Sequence, residues 1–169
     1  MDELECMKAP GLHDNGFGST WLGNLVIKLD GDWEKVYCRG YWENLLLHDN
    51  GTVSFSVESA WGELNEVREF IEEKFPGVKF YFQCEESGNG VYETNDDTGE
   101  YFPERYYLWV EGSDSLYHET LEDLIRDVEN ITGSKNLKTL DSCKKALESY
   151  SRKNHDLCYT LEEFSVVDD

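Results

Sequence analysis

Five cysteines and four histidines are the residues of this chain best suited to act as thiol nucleophiles or to bind zinc. They are Cys6, Cys38, Cys84, Cys143, Cys158, His13, His48, His118 and His155. No two cysteines have the spacing of a CxxC pair, and no histidines form an HExxH or a two-Cys, two-His zinc pattern. The spacing predicts reduced, mostly buried thiols, histidines with structural or surface roles, and no cofactor.

A thiol or metal enzyme is the alternative that these residues leave open. Cys84 or Cys143 could meet a histidine in the folded chain and become an activated nucleophile. The turn at residues 95–100 carries oxygen-bearing side chains at alternate positions and a glycine, as calcium loops do. It lacks the spacing to a bidentate glutamate and the helix that follows such loops. A solvated turn rich in Asp and Asn explains the same residues.

The charge balance is the strongest anomaly of the sequence. Among 169 residues there are 36 acidic side chains and 15 Lys plus Arg, for a net charge of −21. A charge of this size repels nucleic acid and anionic membranes and attracts basic partners. It also keeps a plain soluble domain in solution, and this second explanation remains open.

The acidic residues are concentrated in a few stretches. Residues 85–104 contain seven acids and no Lys or Arg, whereas residues 135–153 are basic. On the predicted first helix, neighbouring carboxylates repeat about every 5–6 Å, a spacing comparable to that of phosphates along one nucleic-acid strand. Such a surface could occupy the basic groove of a nucleic-acid-binding protein and release its counterions. The predicted partner-binding residues are Glu63, Glu66, Glu69, Glu72, Glu73, Glu85, Glu86, Asp96, Asp97 and Glu100.

The stretch from residue 54 to residue 110 must position most of these carboxylates. A strand with one apolar face follows an Asn50-Gly51 turn of type I′, and a helix capped by Ser59 comes next. The helix buries a stripe from Leu64 to Phe75 and ends at Pro76-Gly77, and a strand at 78–84 and a glycine-rich hairpin follow. We expect a scaffold core made of these aromatic residues: Phe55, Trp61, Phe70, Phe80 and Phe82.

The remaining elements are predicted from periodicity. Residues 21–29 alternate as a strand, and residues 33–47 are ambiguous between helix and strand, with a preference for strands. Helices are predicted over 115–131, with a capping box at Thr120 and Asp123 and a stop at Gly133, and over 139–151. Residues 157–167 indicate a closing strand.

These elements predict a single α+β domain with a mostly antiparallel sheet and two to three helices on one face. Within it we expect a loose N-terminal arm at 1–19 and a strand-rich core with the first helix at 20–112. Two helices and the closing strand fill 113–169. No apolar stretch is long enough to cross a bilayer, and the acidic start of the chain is unlike a signal peptide.

The segment from Val53 to Gly90 resembles the ferredoxin-like domain of YubB-type and Api92-type proteins of plasmids and phages. The resemblance rests on Phe55, Ser59 and Trp61, on a short helix ending at Phe75-Pro76, and on an aromatic strand that reaches Cys84-Glu85-Glu86. It implies ferredoxin-like elements, a split β-α-β arrangement and an origin in a mobile genetic element. It carries no known catalytic residues.

The combined expectation is a non-enzymatic acidic interaction protein in the cytoplasm of a bacterial host. Its expected partner is a basic, nucleic-acid-handling protein of host defence, bound by nucleic-acid mimicry of the anti-CRISPR or antirestriction type. Direct contact with nucleic acid or with a membrane is not expected. The alternatives are the small metal-dependent or thiol enzyme or accessory domain described above, and a soluble domain whose acidity serves solubility alone.

Overall fold

A computed structural model of the protein describes residues 18–168 and combines helices with strands, which confirms the α+β class. The predicted N-terminal arm lies outside the described residues except for Gly18 and Ser19. The described helices are α1 (Leu22–Lys28), α2 (Asn65–Lys74), α3 (Leu121–Thr132) and α4 (Leu140–Lys153). The described strands are β1 (Gly40–Leu47), β2 (Val53–Ser59), β3 (Gln83–Glu86), β4 (Val91–Thr94), β5 (Tyr106–Val110), β6 (Leu116–His118), β7 (Tyr159–Glu163) and β8 (Ser165–Val166).

The described strands form three small sheets with the orders β1-β2, β3-β4-β8 and β6-β5-β7. Their pairings are antiparallel except for that of β4 with β8, which is parallel. The chain packs as two compact units, one up to Phe80 and one from Tyr81 onwards. The boundary between the units therefore falls inside the predicted strand-rich core at 20–112. The order strand, helix, strand, strand that carries the resemblance is present, with β2 and β3 in different sheets.

Helix α1 forms where a strand was expected, so the prediction for residues 21–29 is wrong. Leu22 and Val26, one helical turn apart, are both buried. The Asn24 side chain donates to the carbonyls of Gly18 and Ser19 at 3.1 Å each and fixes the chain before the helix. A nearly continuous apolar run matches both the helical and the strand period, and here tertiary packing selects the helix.

The hairpin of β1 and β2 confirms strands in the second half of the ambiguous region. Trp42 lies opposite Val57, and a register shift between Glu43 and Leu46 places one extra residue on β1. At the Asn50-Gly51 turn only Gly51 has a positive φ, of 85°. The Asn50 side chain instead accepts a hydrogen bond from the backbone of Thr52 at 3.0 Å. The hairpin was predicted, but its turn is not of type I′.

Helix α2 begins at Asn65, later than the predicted cap at Ser59, whose hydroxyl donates to the carbonyl of Gly62. Leu64 and Val67 anchor it in the core of the first unit. The helix ends as predicted at Pro76-Gly77, where Gly77 has a φ of 101°. The buried residues of this core are Trp21, Leu22, Val26, Cys38, Trp42, Leu64 and Val67.

Two residues of the predicted scaffold core lie at the surface. Trp61 is 69% exposed and Phe55 is 37% exposed, whereas Phe70, Phe80 and Phe82 are half-buried. The prediction of Phe55 and Trp61 as core residues is wrong: the core of the first unit takes Trp42 from the hairpin, and Trp61 lies beyond the end of β2 with a positive φ of 75°.

The second unit is built around β5, whose two faces are both covered. Leu108 and Val110 pack against Leu124 of α3 and Leu147 of α4. Tyr107, on the alternate face, packs in a small aromatic cluster that includes Tyr92 and Phe164. This arrangement follows from the period-two alternation of side chains along a strand.

Both helices of the second unit have a threonine N-cap, which was predicted for α3 alone. The Thr120 hydroxyl accepts a hydrogen bond from the backbone of Asp123, and Gly133 takes the left-handed conformation (φ 71°) that ends α3. Thr139 and Ser142 form a reciprocal capping box at the start of α4. The predicted helix over 115–131 is shorter than expected because its first residues form β6.

Candidate acidic interaction surface

The ten carboxylates predicted to bind a partner fall into three environments. Glu66, Glu69, Glu73, Glu85, Asp97 and Glu100 are exposed, Glu63, Glu72 and Glu86 are half-buried, and Asp96 is fully buried. Residues up to Phe80 belong to the first unit and the others to the second.

Three exposed glutamates line one shallow groove along α2, which we call the α2 groove. Glu66, Glu69 and Glu73 contribute its acidic wall, and Phe70 with Val36 contributes apolar surface. The groove encloses about 200 Å³ and has Lys35 at its rim. Positions i, i+3 and i+7 of a helix share one face, so the helix itself aligns the three side chains.

Few cations neutralise the α2 groove. Lys35 lines the groove but also forms an ion pair with Asp32 at 2.8 Å, which partly neutralises its charge. Glu66 accepts a hydrogen bond from the backbone nitrogen of Tyr37 at 2.7 Å, which holds its carboxylate in place without neutralising it. Within residues 18–168, Glu69 and Glu73 form no ion pair. The Lys74 ammonium lies 5.3 Å from the centre of the Phe70 ring. The groove therefore carries an excess of negative charge beside apolar surface, with three glutamates and one lysine among its lining residues.

Glu63 and Glu72 differ from the glutamates of the groove. Glu63 is paired with Arg68 at 3.0 Å, and both side chains are largely covered. Glu72 is half-buried. The predicted continuous row of five carboxylates is thus reduced to three that share the groove.

In the second unit, two of the predicted carboxylates take part in local hydrogen bonds. Glu85 accepts from the Tyr117 hydroxyl at 2.9 Å. Burial first, and then the Glu85 carboxylate, raise the pKa of the Tyr117 phenol well above its ordinary value. Glu86 accepts from the backbone nitrogens of Gly88 and Asn89 and so stabilises the turn between β3 and β4.

The carboxylate of Asp96 does not face solvent. The prediction that Asp96 is a surface residue is therefore wrong. It accepts hydrogen bonds from the backbone nitrogens of Tyr101 at 2.7 Å and Phe102 at 2.8 Å, and from the Thr98 hydroxyl at 3.0 Å. Burial alone would raise the pKa of Asp96, but these bonds outweigh it and lower the pKa to about 2. The signal was an Asp ahead of a turn, because Asp side chains often bond nearby backbone amides.

Asp97 and Glu100 present exposed carboxylates on the turn that Asp96 organises. Arg105 stabilises the same turn by donating to the carbonyls of Asp96 at 2.6 Å and Asp97 at 3.2 Å. Because the guanidinium contacts backbone oxygens here, the side chains of Asp97 and Glu100 keep their charge available at the surface.

The basic stretch at residues 135–153 is partly neutralised by carboxylates of the same unit. Lys144 pairs with Glu162 of β7 at 3.2 Å, and Lys145 pairs with Asp141 at 3.0 Å. Arg152 pairs with Glu148 one helical turn away. Much of this stretch therefore serves α4 and its contact with β7.

The geometry of Cys143 and His118 favours structural roles for these two residues. Cys143 is fully buried, and burial raises the pKa of its thiol, which disfavours the reactive thiolate. Buried His118 lies 3.7 Å from Asp127, too far for a hydrogen bond. In the part of the chain that the structure describes, no three His, Cys, Asp or Glu side chains are grouped so as to hold a metal ion. Nor does any helix of residues 18–168 have the length and apolar character to span a membrane.

Comparison of the chain with protein-family models, with curated proteins and with solved structures returned no match.

Proposed function

We propose that this protein is a non-enzymatic acidic interaction protein that binds the basic, nucleic-acid-binding surface of another protein. The observation that carries the proposal is the α2 groove, where Glu66, Glu69 and Glu73 share one helix face and outnumber Lys35, the lysine among the lining residues. A row of exposed like charges disfavours the helix that carries it. A binding function explains why such a row is present.

The spacing of the groove carboxylates supports the proposal that they take the place of nucleic-acid phosphates. Side chains three and four residues apart on a helix are separated by about 5–6 Å. Lys and Arg side chains that bind consecutive phosphates would meet carboxylates at a similar repeat. The apolar surface of Phe70 and Val36 beside the groove suits the aliphatic stems of such side chains.

Asp97 and Glu100 form a second exposed acidic set, in the second unit. With a net charge of −21 the whole chain attracts a basic surface over distance, and the exposed sets supply the short-range contacts. The partner class is a nucleic-acid-handling effector of bacterial host defence, and the protein acts in the host cytoplasm as a product of a mobile element. This last assignment rests on the resemblance of residues 53–90 to plasmid and phage proteins.

The first test is capture from a bacterial lysate at low salt, with retained proteins identified. The wild-type protein is compared with a groove variant carrying Glu66→Lys, Glu69→Lys and Glu73→Lys. A matched control carries Asp114→Lys, Glu119→Lys and Glu122→Lys, exposed positions of the second unit with the same change of charge. We expect basic nucleic-acid-binding proteins on the wild type and the control, and their loss from the groove variant. Equal retention by both variants, or retention of no basic protein, would contradict the proposal.

A further inference from the structure

The outer edge of β2 is an open strand edge with apolar side chains. Val53, Phe55 and Val57 of β2 are 50%, 37% and 39% exposed, and Leu47 of β1, opposite Val53, is 78% exposed. Among residues 18–168, β2 pairs with β1 alone, so its second edge bonds no other strand.

The backbone hydrogen bonds show which residues of β2 point toward this edge. Thr52 accepts from His48 at 2.9 Å, and Ala60 donates to Arg39 at 3.4 Å, so the even-numbered residues face β1. The extra residue of the bulge lies on β1, which leaves the alternation along β2 unbroken. Because successive residues of a strand direct their N–H and C=O groups to opposite sides, those of Val53, Phe55 and Val57 point outward.

Within residues 18–168, this edge lacks the features that usually prevent strands from pairing between molecules. Natural edge strands are protected by charged residues, prolines, bulges or a covering element. Residues 53–59 contain no proline and one charged residue, Glu58, near the end of the strand. The unprotected edge is therefore a template for another strand.

We propose that two copies of this chain pair through β2, antiparallel about Phe55, and form a continuous sheet of order β1-β2-β2-β1. In this register Val53 lies opposite Val57 of the second copy, Phe55 lies opposite Phe55, and Ser54 lies opposite Ser56. A second copy suits the edge because apolar residues and serines alternate symmetrically about Phe55. Glu58 falls opposite Thr52, so no like charges meet across the new pairing.

The net negative charge of each chain opposes dimerisation and makes the strength of the dimer depend on salt. Two chains of −21 repel each other, and added salt screens that repulsion. Dimerisation should therefore strengthen as salt is added. Binding of a basic partner to the α2 groove should weaken under the same change, so failure of either proposal can be told from failure of the other.

Sedimentation equilibrium tests the dimer and its register with two double variants. Ser54→Lys with Ser56→Lys places like charges opposite each other in the dimer, whereas Ser54→Lys with Ser56→Glu places opposite charges there. Circular dichroism of both variants checks that the monomer is folded. The wild type and the Lys/Glu variant are expected to dimerise, and the Lys/Lys variant is expected to dissociate at least about tenfold more readily.

The Lys/Lys variant has a smaller net negative charge than the Lys/Glu variant. If the molecules associated nonspecifically, the Lys/Lys variant would therefore associate more strongly, which is the opposite of the result expected for the β2 dimer. In the dimer, the amides of Val53, Phe55 and Val57 should exchange hydrogen more slowly as protein concentration rises. A wild type that stays monomeric from low to high salt would overturn the proposal. Equal dissociation constants for the two double variants would overturn it as well.

Discussion

The Oδ2 atom of Asp96 lies 2.8 Å from the backbone nitrogen of Phe102, six residues further along the chain. This hydrogen bond and the others that the Asp96 carboxylate accepts hold the turn before β5 in place. The carboxylate itself has no contact with solvent. The residue thus belongs to the framework of the second unit, although its acidic neighbours belong to the surface.

Asp96→Asn should destabilise the second unit strongly. The amide keeps the shape of the side chain but replaces one accepting oxygen with a donor. Either Tyr101 and Phe102, whose N–H groups share Oδ2, or Thr98, Gly99 and Glu100, which share Oδ1, then lose their acceptor. We expect the free energy of unfolding at neutral pH to fall by about 3 kcal/mol. Urea denaturation followed by circular dichroism measures it. The control, Asp97→Asn at an exposed position, should change it by no more than about 0.5 kcal/mol.

The same residue should make stability depend on pH in the acid range. The pKa of Asp96 falls from 3.8 to about 2 on folding, so its stabilising effect is complete above 3.8 and is lost as pH falls through 2. The loss amounts to roughly 2 kcal/mol. Wild-type and Asp96→Asn stabilities measured over this range should therefore converge toward low pH. Parallel profiles would show that the Asp96 hydrogen bonds do not depend on its charge.

The contact between Tyr117 and Glu85 predicts a raised Tyr117 pKa, which spectroscopy can measure. Burial and the hydrogen bond to Glu85 at 2.9 Å raise the pKa of the Tyr117 phenol. Nuclear magnetic resonance of protein labelled at the tyrosine Cζ should show the Tyr117 signal titrating above the ordinary tyrosine range. Glu85→Gln should lower that pKa, because the mutation removes the negative charge, whereas Glu119→Gln should leave it unchanged. An unshifted Tyr117 in Glu85→Gln would contradict the assigned contact.

Glu69 and Glu73 of the α2 groove should reduce stability. Glu69 and Glu73 are like charges one helical turn apart, and Glu69→Gln or Glu73→Gln should raise the free energy of unfolding by about 0.2–0.5 kcal/mol. The gain should shrink as salt screens the repulsion. Glu63→Gln is the matched control and should lower the free energy of unfolding, because Glu63 is paired with Arg68 at 3.0 Å. A loss of stability in the groove variants would mean that these glutamates stabilise the fold.

Several elements could be predicted because local sequence decides them. Helix α3 begins after Thr120 and ends at Gly133 because of hydrogen bonds and backbone angles that involve only neighbouring residues. The hairpins at Gly51 and Gly90 follow from the same kind of local preference, since both glycines have positive φ. Such signals do not depend on what the rest of the chain does.

Other features could not be predicted because they depend on distant packing. Alternation along β2 indicates one apolar face but does not show that Phe55 and Val57 stay exposed. Leu22 and Val26 form a helix because the core of the first unit buries them together. In the same way, the acidic sequence around Asp96 does not distinguish a carboxylate that binds backbone amides from one that faces a partner.

The most direct test of the proposed function is competition between this protein and duplex DNA for the basic protein that capture retains. A labelled duplex bound to that protein is titrated with the wild type, the groove variant and the matched control. The wild type and the control should displace the duplex, with an affinity that falls as salt rises from about 0.05 to about 0.5 M. The groove variant should displace it at least about tenfold less well. Displacement that is equal for all three proteins, or that does not change with salt, would contradict the claim that the α2 groove binds a basic surface in place of nucleic acid.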